Sequence, residues 1–221
     1  MPCTRHLIIC EGESERAYLQ RLQAFFDQQP LPSGSFEPPL RIFAPQNAVA
    51  QSGKFSSLKK CYSAVRKENK KVTIRIWADF DLYLRNDHDC ATHYRSKPAT
   101  LPDFLFSFHN FEDFLALHLA DEPFHRWLEF GRRGHFETPL HSPDYMREFE
   151  SIFPGYRKAG LPPDFITWQS LANLKRRLTH QPIPRLHDLG SIDKFADFLI
   201  TEIERAYPGS LDLAPAIPAQ P

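Results

Sequence analysis

Three short stretches of the chain carry acids in patterns that chemistry can use. "LIICEGESERAYL" places Glu11, Glu13 and Glu15 just after four apolar residues, "VTIRIWADFD" ends in Asp79 and Asp81, and "FSFHNFEDFLALHL" carries Glu112 and Asp113. Two residues apart on an extended backbone, Asp79 and Asp81 leave the same face and repel each other. A divalent cation removes that repulsion, and an all-oxygen donor set suits Mg²⁺ or Mn²⁺. A solvated turn explains Asp-x-Asp equally well, so the pair gains meaning only beside a second acidic strand end. Glu11, the first residue after its apolar run, supplies one, and Gly12 lets the chain turn tightly there. We therefore expect Glu11, Asp79 and Asp81 as primary metal ligands. Glu13 and Glu112 are expected as further ligands or as groups that orient water. Glu15 has a sufficient reason of another kind, because an acid in a first helical turn gains ~0.3–1 kcal/mol from the helix dipole.

These acids need elements that bring their ends together. Residues 5–10 are a continuous apolar run, which predicts a central strand covered on both faces. Ser14 is the expected N-cap of a helix reaching about Gln28, with Ala17, Leu19, Leu22, Phe25 and Phe26 at helical spacing. A loop over 30–39 leads to a short strand at 40–45. Residues 47–70 predict an exposed amphipathic helix with a mobile start around "QSGKFSS". Strands are expected over 72–81 and 103–108, and a long helix over 110–130, interrupted near Pro123. Further helices are expected at about 142–152, 167–179 and 191–206. Alternating strands and helices predict an α/β protein with a mainly parallel sheet. Sites in such sheets form outside the carboxyl ends of the strands. The expected units are a core over 1–120, a mostly helical extension over 121–207 packed on it, and a disordered Pro-rich tail over 208–221.

The two acidic strand ends together resemble the TOPRIM domain of topoisomerases, primases and OLD-type nucleases. In that domain a hydrophobic strand ends in Glu-Gly and a later strand ends in Asp-x-Asp. Residues 106–119 are similar to the "NP-x-FE-x-WLLLH" segment of RloB-like TOPRIM proteins through Phe111, Glu112, Leu115, Leu117 and His118. Phe114 stands where that family has Trp, and its Asn-Pro pair is missing. "FPGYRKAG" (153–160) is loosely similar to a later segment of the family. The resemblance implies a TOPRIM-like Rossmannoid parallel sheet flanked by helices. It also implies a metal-dependent nuclease in anti-phage defence, a separate ATPase as partner, and a lysine near the metals. Lys175 or Lys54 could serve as that lysine. Phosphodiester cleavage fits these residues: Mg²⁺ held by Glu11, Asp79 and Asp81 would activate a nucleophile and neutralise phosphate charge.

Composition narrows the remaining choices. The 221 residues carry 27 Lys+Arg and 27 Asp+Glu, so a nucleic-acid partner would have to meet a local basic face. Candidates are Lys54, Lys59, Lys60, Lys67, Lys70 and Lys71, and the run Lys175-Arg176-Arg177. The cysteines, Cys3, Cys10, Cys61 and Cys90, form no C-x-x-C pair, and "NDHDC" (86–90) reads as a polar turn. No secretory leader or membrane-length apolar run is seen, so a cytoplasmic protein with no membrane partner is expected. A homodimer is left open. Two other functions compete with the nuclease. One is a non-catalytic metal- or nucleic-acid-binding module, since the chain has no G-x-x-x-x-G-K-[ST] of its own. The other is a phosphatase similar to the haloacid-dehalogenase-like enzymes, although Tyr83 stands where those place Thr or Val.

Overall fold

A computed structural model describes residues 3–31, 33–50, 55–70, 72–79, 104–107, 110–131, 142–157, 160–180 and 194–212. Asp81, Lys54, Lys71, the "NDHDC" loop, His109 and most of the "QSGKFSS" segment lie outside them.

The apolar run forms β1 (Thr4–Cys10), in which Leu7 to Cys10 have no solvent exposure. Helix α1 (Glu13–Asp27) follows, then β2 (Leu40–Phe43), a 3₁₀ turn at Gln46–Ala48, α2 (Phe55–Glu68) and β3 (Thr73–Asp79). Beyond them come β4 (Phe104–Ser107), α3 (Phe111–Ala116), α4 (Asp121–Phe130), α5 (Ser142–Ile152), α6 (Trp168–His180) and α7 (Lys194–Ala206). The four strands pair in the order β2-β1-β3-β4, all parallel, with Cys10 opposite Trp77 and Asp79 opposite Ser107. The expected α/β class is what the chain adopts: a four-stranded parallel sheet flanked by helices. Among the described residues no helix is long and apolar enough to cross a membrane.

Strand alternation divides the core in two. Leu7, Ile9, Ile76 and Ala78 face Leu58 and Val65 of α2. Ile8, Cys10 and Trp77 face α1, α3 and α7 in a larger, aromatic-rich core. Helix α7 runs antiparallel to the strands across this face: Phe195 stacks on Trp77 near the carboxyl end, and Glu202 meets His6 near the amino end. The region after 120 is therefore more than an attachment, because its last helix is part of the layer that covers the sheet.

Three expectations shift in detail. The N-cap of α1 is Gly12 rather than Ser14. The break in the 110–130 helix falls at 117–120, and Pro123 sits in the first turn of α4, where its missing N–H costs nothing. Of the expected 191–206 helix, Lys194–Ala206 is described, and 191–193 lie outside the described residues. The tail packs further than expected, with Leu211 in the main core and Asp212 bonded to Lys175.

Candidate active site

The carboxyl ends of β1 and β3, the two central strands, lie side by side. The Glu11 amide donates to the Trp77 carbonyl at 3.1 Å, extending the ladder by one residue. The Glu11 carboxylate then accepts the amide of Asp79 itself at 3.0 Å. One bond thus ties the two acidic strand ends together. On the far side of β3, Ser107 has no solvent exposure and its hydroxyl accepts the Trp77 indole N–H at 2.5 Å. Trp77 is also stacked on Phe195 with ring centroids 3.6 Å apart, so the residue two before Asp79 is fixed on its edge and its face.

The joint between β1 and α1 explains its own sequence. Glu15 is 4% exposed, and its carboxylate accepts the Gly12 amide at 3.0 Å, closing the α1 N-terminus. A Cβ on Gly12 would stand 3.1 Å from that carboxylate. Glycine is needed there for space, and the space is used by Glu15. Glu13 points outward and pairs with the Arg16 Nε at 2.8 Å. Of the three glutamates in this stretch, Glu11 is the one bonded to the end of β3.

Helix α3 brings Glu112 in from the side. Asn110 caps the helix by accepting the Asp113 amide at 3.0 Å, and the buried Asp113 carboxylate accepts the Trp127 indole at 2.8 Å. Asp113 is thereby a packing residue. Glu112, 8% exposed, accepts the Tyr156 hydroxyl at 2.9 Å. Burial raises the Tyr156 phenol far above its ordinary range, and the charges of Glu112, Glu15 and Asp79 push it the same way. Tyr156 is consequently a permanent hydrogen-bond donor in an acidic neighbourhood shared by three separate elements. Sequence reasoning did not single it out. The one signal was "FPGY": Gly155 adopts φ +95°, a left-handed turn that suits glycine, just before the ring enters the core.

His118, matched to the family segment, is buried and neutral. Its Nδ1–H donates to the Phe114 carbonyl at 3.2 Å, so Nε2 accepts the Tyr18 hydroxyl at 2.9 Å. Both nitrogens are used, and burial lowers its pKa to about 3. Lys175 is held elsewhere, paired with Glu204 and Asp212 at 2.7 Å each. Arg176 binds Asp121 at 2.5 Å. Arg177 is buried and donates to the Leu117 carbonyl at 2.7 Å, to the Leu119 carbonyl and to Asp121.

The donors at the strand ends are carboxylate oxygens, the chemistry that Mg²⁺ or Mn²⁺ prefers over softer metals. The Glu11 carboxylate meets the Asp79 backbone amide, and Asp81 lies outside the described residues. Among the described residues no group of three or more His, Cys, Asp or Glu side chains is close enough to hold an ion. No family model matches the chain, and neither the curated proteins nor the solved structures include a significant match to it.

Proposed function

We propose that the carboxyl end of this sheet is the active site of a Mg²⁺- or Mn²⁺-dependent TOPRIM-type nuclease that hydrolyses phosphodiester bonds in RNA or DNA. The observation that carries the reading is the Glu11–Asp79 bond, which joins acidic ends of two adjacent parallel strands. Glu11, Asp79 and Asp81 would hold the ion. A bound ion would supply charge neutralisation on the phosphate and a more acidic water. The chain's own groups have simpler tasks. Glu11 fixes the end of β3 through the Asp79 amide. Tyr156 holds Glu112 in one orientation, and Glu15 closes α1 so that Glu11 stays at the sheet edge. The family resemblance supports a role in cytoplasmic anti-phage defence beside a separate ATPase.

A second reading is a non-catalytic binding module, in which the Glu11 carboxylate serves to tie the ends of β1 and β3 through the Asp79 amide. One assay separates the two. The purified protein is incubated with tRNA, single-stranded DNA and plasmid, with Mg²⁺ or with chelator, beside Glu11→Gln and Asp79→Asn. Cleavage should require metal and should fall in both variants by more than the roughly 10–100-fold that loss of an outer partner costs. Tyr156→Phe should lie within that smaller range. Cleavage that survives both acidic substitutions refutes the nuclease. Mg²⁺-dependent binding without cleavage favours the module, and phosphate release from small esters favours a phosphatase.

A further inference from the structure

Helix α2 covers the aliphatic face of the sheet, and its outer side carries an unusual concentration of cations. A groove of about 790 Å³ lies between α2 and the start of β3. Lys59, Arg66, Lys67 and Lys70 line it together with Tyr62, over a floor of Val72 and Ile74. Positions 59, 62, 66, 67 and 70 follow helical spacing, so they form one stripe rather than a scatter. The single acid of α2, Glu68, is turned aside to the Asn47 amide at 3.2 Å. Among the described residues no acid lines the groove, and Lys59, Lys67 and Lys70 have no ion-pair partner. The helix dipole gives a reason for Arg66 and Lys67 in the last turn, but none for Lys59.

We infer that this stripe is where the protein holds the phosphate backbone of a nucleic acid. The length of the stripe argues for a polymer. From Lys59 to Lys67 the helix rises about 12 Å, which matches the axial length of three to four nucleotide steps of a duplex at about 3.4 Å each. A small phosphate ligand would instead need buried donors converging on one point, and all four cations here are exposed. The direction of the stripe also fits. The Ala50 amide donates to the Cys10 carbonyl at 2.9 Å, which fixes residue 50 at the carboxyl end of β1, five residues before α2 begins. Helix α2 then returns towards the start of β3. The stripe therefore runs along the flank of the sheet, and a strand that follows it past Lys59 heads toward the carboxyl end, where Glu11 and Asp79 lie. Tyr62 adds a half-buried ring whose hydroxyl is held by Arg66 at 3.0 Å. The inference rests on the nuclease reading only for its choice of polyanion.

The test measures binding without cleavage. Fluorescence anisotropy with labelled RNA, single-stranded DNA and duplex DNA is recorded in chelator between about 50 and 200 mM salt. The wild type is compared with the fourfold variant Lys59→Gln, Arg66→Gln, Lys67→Gln, Lys70→Gln. The substituted positions are exposed, and an unchanged thermal melt establishes that the variant is folded. Affinity should fall at least about 10-fold, and the slope of log affinity against log salt should shrink by roughly 3. A companion with Lys59→Arg, Lys67→Arg and Lys70→Arg should keep both. Equal slopes for wild type and the fourfold variant overturn the inference, as does failure of the wild type to bind any of the three probes. Equal or tighter binding to equimolar phosphatidylcholine–phosphatidylserine vesicles also overturns it. Binding through the stripe with no cleavage in Mg²⁺ removes the nuclease and leaves this surface standing. Glu11-dependent cleavage with undiminished binding by the fourfold variant removes only the surface.

Discussion

Two groups of basic residues look alike in the sequence and are used in opposite ways. In the run Lys175-Arg176-Arg177 every cation is matched by the fold. Lys175 bridges α6 to the chain after α7, Arg176 holds the start of α4, and Arg177 reaches into the core. The Arg177 guanidinium lies 3.9 Å from the Phe124 ring and bonds the carbonyls that follow α3, which a helix end leaves without intrahelical partners. Burial lowers its pKa to about 10, against the opposing pull of Asp121. The α2 cations have no such company among the described residues. Three consecutive cations make the more conspicuous motif, yet the spaced ones face solvent. Adjacency in sequence sends side chains to different sides of a helix, where each meets a different neighbour. Spacing of three and four keeps them on one surface.

The largest test of this contrast is Arg177→Met, which should cost about 3 kcal/mol or more in urea unfolding by removing the buried donor of the Leu117 carbonyl and one partner of Asp121, while Leu119 keeps its bond from Asn173. Arg177→Lys should recover little of it, because an ammonium cannot fork between the carbonyls, met by Nη1, and Asp121, met by Nη2. A cost below about 1 kcal/mol would erase the distinction between the two groups.

A second effect follows from pH. His118 ends the same turn, and its pKa is lowered from 6.5 to about 3 by burial, with a smaller contribution from the charge of Arg177. The unfolded chain takes up that proton near pH 6.5, whereas the folded chain does so only near pH 3. The folded state binds fewer protons in this window, so stability is full above it and falls as pH drops through it, by a few kcal/mol (about 1.4 per pH unit). Unfolding free energies from pH 7 downward should be flatter in His118→Gln than in wild type. Arg177→Met should shrink the acid loss, and the α2 variant should leave it unchanged.

The smallest effects are at the surface. Lys175→Met, which removes two half-exposed ion pairs, and each single α2 neutralisation should shift stability by less than about 0.5 kcal/mol. If Lys175→Met cost several times that, its pairs would belong with Arg177 rather than with the surface.

What could be read from the sequence was local. β1 announced itself because Leu7 to Cys10 are apolar without interruption, as burial on both faces demands. α5 was legible at its full length from helical spacing. The acidic ends of β1 and β3 were legible too, because alternation of strands and helices predicts a parallel sheet and a parallel sheet gathers its carboxyl ends. What escaped was contact over distance. Tyr156 meets Glu112 across 44 residues, and nothing near either one signals the other. Leu211 looked like tail because prolines follow it, although its own side chain is buried. The role of α7 was hidden for the same reason: its spacing predicts a helix and says nothing about which layer it joins.

The stacking of Phe195 on Trp77 sets an order of events during synthesis. β1, β3 and Asp79 leave the ribosome more than a hundred residues before α7 does. Until then Ile8, Cys10 and Trp77 lack part of their cover, and the sheet holds an open aromatic face that invites association with other chains. The edge on which Asp79 sits gains this support only after residue 195 has been made. A chain cut short before residue 194 would carry Glu11, Asp79 and Glu112 and none of the helix that holds Trp77 flat.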